Sequence, residues 1–267
     1  MGHRSSCSSL MGGLCCLLAY VAGSSAHAQG TVPAPRRAPQ LLVVLIGGMD
    51  SDPTAGQIAG TAKRSEGNSG LYQLQQDLQE PNVRCEYFNW NGTRAGQIRD
   101  PHPPQTEPIA SVIRASLREQ PRDRVAIVGN SWGGHTALET VRCLHDCAAP
   151  LQLDLVVFLD PSSTGRGKRP KGLPANIGSV VNFHTRNAFV WGSVKDDLGD
   201  RILNLDLGHP DTGFLSKGGP AYDSPLSFPA HVAAEWDPRI HADIRNRLLD
   251  LVPKTASQPV PSTTRTP

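Results

Sequence analysis

The sequence predicts an α/β fold, with a mostly parallel sheet and helices on both faces. Apolar runs alternate with amphipathic segments along the chain, and most connections between them are short. The runs LLVVLIGG (41–48) and RVAIVG (124–129) are apolar throughout, which is typical of strands buried on both faces. Segment EPIASVIRASLRE (107–119) instead repeats its apolar residues at helical spacing.

Proline marks the ends of two predicted helices. GLYQLQQDLQE (70–80) has leucines at helical spacing and stops before Pro81, and the helix at 107–119 stops before Pro121. The predicted strands are 41–48, 83–90, 124–129, 153–160, 178–184 and 201–207. The predicted helices are 70–80, 107–119, 131–145 and 232–251, with loops at 161–175 and 208–230. Reactive groups of such a sheet gather beyond the carboxyl ends of its strands.

The amino terminus has the pattern of a secretory signal. Residues 1–28 combine a basic start, an apolar stretch and the small-residue site Ala26-His27-Ala28. We therefore expect cleavage after Ala28 and an exported protein with no integral membrane segment after processing. A lipid anchor through Cys15 or Cys16 is the alternative.

Between its two ends the chain is predicted to form one domain. Residues 29–40 and 253–267 are rich in small and proline residues without periodicity, and we interpret them as a flexible linker and a disordered tail. Residues 41–252 are long enough for one full core. The formal net charge is +2, and no charge run indicates a nucleic-acid partner. The oligomeric state is not predicted.

Three cysteines remain after the predicted cleavage. An odd number outside the reducing cytosol predicts one disulfide and one free thiol among Cys85, Cys143 and Cys147. Cys143 and Cys147 are one helical turn apart, so either the two pair with each other or one reaches Cys85. A zinc site that includes His145 is an alternative, although no second ligand pair has metal-site spacing.

The segment VAIVGNSWGG (125–134) contains the candidate nucleophile. An apolar strand, Gly-x-Ser-x-Gly and a helix-like segment follow one another, which places Ser131 on a sharp strand-to-helix turn. Small residues flank such a serine because the turn leaves no room for side chains. The arrangement resembles the α/β-hydrolase superfamily, in a compact form without a cap domain that starts at its first parallel strand.

The resemblance implies two backbone donors for an oxyanion. One is the N–H of Trp132, directly after the candidate nucleophile, at the start of the helix. The other lies in the loop after the first strand, where Gly47-Gly48 precedes Met49. The family commonly has a histidine in this loop, and this sequence has none there. Met49 is the predicted second donor.

The candidate acid ends the strand VVFLD. Asp160-Pro161 resembles the pancreatic-lipase branch, in which the acid also lies in Leu-Asp-Pro at a strand end. An aspartate there can hold an imidazole by its Nδ1–H, although an aspartate before proline can also cap a turn. Many members place the acid one strand later, where this chain has Asn187 and no carboxylate before Asp196 and Asp197.

The family's chain order Ser, Asp, His requires the histidine to come last. His231, which we place just before the final helix, is favoured by the resemblance, and the loop 208–230 would then cover part of the site. His209 is closer to a strand end and stays the alternative, while His184 lies within a strand.

These residues predict a serine hydrolase that acts through an acyl-enzyme. The expected substrate is a small-molecule or lipid-like acyl ester, and the chemistry needs no cofactor or metal. Apolar residues of loop 208–230 either form a lip for the acyl chain or pin the loop to the body. A thioesterase, an amidase, an acyltransferase and a non-catalytic exported binding domain are the alternatives.

Overall fold

A computed structural model of the chain describes residues 40–48, 69–90, 106–162, 172–194 and 199–253. Strands of this part are β1 (Leu41–Gly47), β2 (Val83–Asn89), β3 (Arg124–Asn130), β4 (Leu153–Leu159), β5 (Ile177–His184) and β6 (Ile202–Asp206). Its α-helices are α1 (Gly70–Asp77), α2 (Glu107–Glu119), α3 (Trp132–His145), α4 (Phe228–Trp236) and α5 (Pro238–Asp250). Two single 3₁₀ turns cover Gly199–Arg201 and Pro210–Thr212.

The six strands form one sheet in the order β2-β1-β3-β4-β5-β6, and every neighbouring pair is parallel. The prediction of a mostly parallel sheet is therefore confirmed. The chain leaves β1 in one direction to form β2 and crosses to the other side for β3, so the strand order reverses between β1 and β3. The carboxyl ends of β1 and β3 flank the crevice where α/β folds bind ligands.

Helices cover both faces of the sheet, because the apolar strand residues alternate between two cores. On one face, residues of β1 such as Val43 pack with Leu71 and Leu74 of α1 and with Ile244 of α5. On the other face, Val44 packs with the apolar stripes of α2 and α3. Burial of each apolar side chain contributes about 1.5–3 kcal/mol, which offsets the entropy cost of ordering the chain.

The final helix differs from its prediction. In place of one helix over 232–251 there are two, α4 and α5, which meet at Asp237. Pro238 explains the break, since proline has no N–H to donate and is favoured in the first turn of a new helix. The side chain of Asp237 caps α5 by accepting a hydrogen bond from the N–H of Arg239. His231 consequently lies inside α4, and not before a helix as expected.

The predicted disulfide is wrong, because Cys85, Cys143 and Cys147 are all free. The thiol of Cys147 turns back to the carbonyl oxygen of Leu144 at 2.9 Å, whereas that of Cys143 faces Glu107 at 3.9 Å. Within the described ranges, no group of three potential ligands could hold a metal ion. Nor does any helix of this part have the length and apolarity to cross a membrane.

Part of the loop before α4 packs against the body, and its role as a lip for an acyl chain stays a prediction. Tyr222 and Phe214 are buried, and the Tyr222 hydroxyl donates a hydrogen bond to Asp237 at 2.9 Å, so they pin the loop to the body. Leu226, at the end of the loop, and Phe228, at the start of α4, are instead exposed.

Candidate active site

Ser131 occupies a sharp turn between β3 and α3. Its backbone has φ 50° and ψ −120°, a conformation that non-glycine residues rarely adopt. The turn brings helix and strand backbones very close together. A Cβ on Gly133 would lie 2.1 Å from the carbonyl oxygen of Ile46, and one on Gly129 would lie 2.5 Å from that of Gly133. Both positions therefore require glycine, as the sequence pattern predicted.

Asp160 follows β4 at the same edge of the sheet and is fully buried. Its Oδ1 accepts a hydrogen bond from the N–H of Thr185 at 2.7 Å, and the Thr185 hydroxyl lies 3.0 Å from Oδ2. Its own N–H donates to the carbonyl oxygen of Phe183 at 2.7 Å. Burying a carboxylate is costly unless such donors surround it, and here they also fix its orientation.

His231 lies between the other two side chains. Its Nε2 is 2.9 Å from the Ser131 Oγ, and its Nδ1 is 2.7 Å from the Asp160 Oδ2. These distances fit Nδ1–H donating to the carboxylate while Nε2 accepts from the serine hydroxyl. The structure thus brings Ser131, Asp160 and His231 together in one hydrogen-bonded chain.

The order of these three residues along the chain distinguishes folds that share the same constellation. One of these folds has the order serine, aspartate, histidine, and its serine lies on a strand-to-helix turn of a parallel sheet. This is an α/β-hydrolase fold. Its β1 and β3 ends flank Ser131, which places the hydroxyl at the crevice where the strand order reverses.

The environment of His231 favours its protonated form. Burial alone would lower the pKa of its imidazole, but the hydrogen bond to Asp160 and the negative charges of Asp160 and Glu235 outweigh burial. The pKa of His231 is raised above its ordinary value of 6.5.

Trp132 is the first residue of α3, so its N–H belongs to the first turn, where backbone donors have no partner within the helix. β1 ends beside the serine of this hydrolase fold, since a Cβ on Gly48 would lie 2.9 Å from the Ser131 Cβ. Met49, the predicted second donor, lies outside the described residues and stays a prediction.

The alternative site residues have other surroundings. His209 caps the 3₁₀ turn by accepting a hydrogen bond from the N–H of Asp211. His184 is buried, with its Nδ1 3.3 Å from the carbonyl oxygen of Thr185. Asn187 donates to the carbonyl oxygen of Ser227 at 3.1 Å. Asp196 and Asp197 lie outside the described residues.

The sequence reasoning missed two residues that contact the candidate triad. Thr185 holds Asp160, and the Ser162 Oγ lies 3.3 Å from the Ser131 Oγ, while the Ser162 N–H donates to the Ser131 carbonyl oxygen at 3.0 Å. Their positions next to strand ends and next to Asp160 could have indicated them. Thr185 directly follows β5, next to β4 in the sheet, and Ser162 is two residues after Asp160.

Several solved structures are similar to this chain. A lid-less α/β serine hydrolase from Xanthomonas campestris is 15% identical, with a TM-score of 0.41, and the match covers 84% of this chain and 88% of that one. For the catalytic core of acetyl xylan esterase from Trichoderma reesei the identity is 13%, the TM-score 0.44 and the coverage 80% and 100%. A cutinase-like protein from Cryptococcus sp. has 11% identity, a TM-score of 0.41 and coverage of 80% and 94%. No protein-family model and no curated protein matches the sequence.

Proposed function

We propose that the protein is a serine hydrolase that cleaves carboxylic esters through an acyl-enzyme. The observation that carries the proposal is the continuous hydrogen-bonded chain from the Ser131 Oγ through His231 to Asp160, at 2.9 Å and 2.7 Å. Both distances lie within the range required for a general base acting on a nucleophile.

The mechanism assigns one task to each group. His231 Nε2 takes the proton of the Ser131 hydroxyl while Oγ attacks the ester carbonyl, and Asp160 stabilises the imidazolium. We expect the oxyanion to accept hydrogen bonds from the N–H groups of Trp132 and Met49, and one such donor typically lowers the barrier by about 3 kcal/mol. His231 then protonates the departing alcohol. In the second half, it deprotonates a water molecule whose oxygen attacks the acyl carbon, and it then returns that proton to the Ser131 Oγ as the acid leaves.

The first test is covalent labelling by a fluorophosphonate, measured by intact mass. We expect one adduct on the wild type, none on Ser131→Ala, and strongly slowed labelling of His231→Ala. His209→Ala is the matched control and should label like the wild type, because the His209 side chain caps a 3₁₀ turn while the Ser131 hydroxyl contacts His231. A folded wild type that takes no label would contradict the proposal and indicate a non-catalytic binding domain.

An exposed apolar rim beside the site supports an ester with an apolar acyl chain. Four large apolar side chains of the described residues are exposed, and three of them belong to two adjacent segments. These three are Phe189, Leu226 and Phe228, with 69%, 77% and 57% of their surface exposed. Exposed apolar side chains grouped in this way are typical of binding surfaces.

A hydrogen bond joins the two segments of this apolar rim, and a ring contact joins the rim to the site. The N–H of Ala188 donates to the Pro225 carbonyl oxygen at 3.0 Å, so the segments that carry Phe189 and Leu226 lie side by side. The ring of Phe228 is 5.6 Å from that of His231. An acyl chain leaving the ester carbonyl at Ser131 therefore has apolar surface next to it.

Activity on a series of dissolved p-nitrophenyl esters tests the role of the rim. Leu226→Ser and Phe189→Ser should each lower kcat/KM for the octanoate by about tenfold and leave the acetate unchanged. Leu203→Ser is the matched control, since Leu203 is the exposed apolar residue on the edge strand β6. Equal losses on both esters would contradict acyl-chain binding by the rim.

Export through the predicted signal at 1–28 is part of the proposal. Expression followed by fractionation of the cell compartments tests export. The intact mass of the exported protein should be that of a chain that begins at Gln29.

A further inference from the structure

Glu235 is a buried carboxyl group outside the mechanism above. It is 2% exposed and lies on α4, four residues after His231, so both side chains project from the same side of that helix. Burying a carboxyl group costs several kcal/mol unless hydrogen bonds replace its water. Its partners therefore need to be identified.

One partner of Glu235 is Ser69, the residue that caps α1. The Ser69 hydroxyl donates a hydrogen bond to the Glu235 carboxylate and accepts one from the N–H of Leu71 at 3.2 Å. The two helices have no spare room here, because a Cβ on Gly70 would lie 2.0 Å from the Glu235 carbonyl oxygen. The same carbonyl accepts a hydrogen bond from the Nε2 of His241 at 2.7 Å. Both ends of Glu235 thus tie α4 to neighbouring helices.

This contact lies beside the end of β1. A Cβ on Gly47 would be 2.1 Å from the hydroxyl of Tyr87 and 3.4 Å from the Ser69 Oγ. Burial and then the negative charge of Glu235 raise the pKa of Tyr87 above its ordinary range, so the tyrosine is neutral. The negative charges of Asp160, at the end of β4, and of Glu235 both raise the pKa of His231. Tyr87 of β2 and His241 of α5 are two titratable groups near Glu235.

We infer that Glu235 is a positioning residue for His231. Its bond to Ser69 fixes the helix that carries the imidazole, and its negative charge stabilises the imidazolium that forms when the serine proton is taken. The inference rests on the proposed function for its effect on rate. The effect on the protonation of His231 needs no substrate.

Glu235→Gln separates charge from shape. The amide oxygen still accepts from Ser69, but the charge is gone, so His231 should lose its proton more readily. We expect the acidic limb of kcat/KM to move about half a pH unit lower. Glu80→Gln is the matched control. Glu80 is a half-exposed carboxylate that forms an ion pair with Arg245, so the same loss of charge occurs outside the contacts of His231. It should leave the limb in place.

Ser69→Ala tests the tether. It removes the donor to Glu235, and we expect kcat to fall about tenfold with KM unchanged, because the imidazole loses its fixed position. A folded Glu235→Gln whose acidic limb overlays that of the wild type would overturn the inference. If Glu235→Gln does not fold, wild-type kcat in Ser69→Ala overturns it instead.

An NMR titration of His231, assigned by comparison with His231→Ala, makes the two failures distinguishable. A wild type that cleaves no ester and takes no fluorophosphonate would contradict the proposed function. In that case a His231 pKa lower in Glu235→Gln than in the wild type still supports the inference, and an unchanged pKa refutes it.

Discussion

Two residues of the candidate triad sit on strained backbone. Within the described part of the chain, Ser131 (φ 50°) and Asp160 (φ 44°) are the non-glycine residues with positive φ. Each costs about 1–3 kcal/mol and persists only where the surroundings fix it. Here neighbouring strands do so, since the Ser131 N–H donates to Leu159 and the Asp160 N–H to Phe183. From these two positions both side chains contact His231.

Asp160→Asn should lower kcat by about 10⁴-fold, because an amide in this position favours the wrong tautomer of His231. Thr185→Val, which removes one donor to Asp160 but keeps the backbone N–H, should cost only about tenfold. Steady-state ester hydrolysis measures both values. A loss of less than tenfold in Asp160→Asn would contradict the role assigned to this carboxylate.

The pH dependence of activity follows from the raised pKa of His231. Burial opposes the shift, but the bond to Asp160 and the charges of Asp160 and Glu235 prevail. Only the neutral imidazole can take the serine proton, so kcat/KM should fall as the pH drops through a midpoint above 6.5. A pH–rate profile on a dissolved ester measures that midpoint, and a value below 6.5 would contradict this environment for His231.

At the scale of elements, caps and breaks decide where His231 is placed. Ser227 begins α4 by accepting a hydrogen bond from the N–H of Ala230, and Asp237-Pro238 separates α4 from α5. The spacing of apolar residues predicted one long helix, because this spacing continues across the proline that ends the first helix. The short helix that results presents His231 to Ser131 on one side of the break, while α5 packs into the core on the other.

Close packing of α3 against β1 makes Gly133 hard to replace. Gly133→Ala should lower the free energy of unfolding by about 3 kcal/mol, since its Cβ would meet the Ile46 carbonyl oxygen. Gly213→Ala is the control: Gly213 has φ +76° but open space around it, and about 1 kcal/mol is expected there. Denaturant unfolding compares the two. Equal losses would show that contact with β1 is not the cause.

At the scale of the whole molecule, much of the sheet was predictable and the contacts between elements were not. The apolar runs at 41–48 and 124–129 indicate buried parallel strands, and that topology places Ser131 and Asp160 at one edge. The histidine is 100 positions from the serine. Its choice depends on the path of the chain through loop 208–230, which no local pattern encodes. Thr185 and Glu235 act through partners on other elements, so spacing could not identify them.

Acid should weaken the fold through His241. Burial lowers the pKa of this histidine despite the hydrogen bond to the Glu235 carbonyl oxygen, so the folded protein binds a proton there less readily than the unfolded chain does. The unfolded chain takes up a proton near pH 6.5, so the stability from this group is full above that pH and is lost as the pH falls below it. The pKa of His135 is also lowered, so its contribution to stability is likewise lost in acid. The pKa of His231 is raised, so its contribution is instead lost as the pH rises.

His241→Gln should therefore lose about 1 kcal/mol less free energy of unfolding than the wild type between pH 7 and pH 5. Urea unfolding at both pH values measures the difference. His209→Gln, a substitution at a half-exposed histidine, should behave like the wild type. Parallel losses in all three proteins would contradict the contribution of His241.

The free thiols bear on how the protein tolerates its surroundings. No cross-link joins Cys85, Cys143 and Cys147, so folding of this domain draws nothing from loop closure by a covalent bond. Burial, helped by the neighbouring Glu86, raises the pKa of Cys85 to about 11, which keeps it as an unreactive thiol at neutral pH. The described part of the chain can thus assemble without an oxidant, and a reductant has no disulfide among these three cysteines to break.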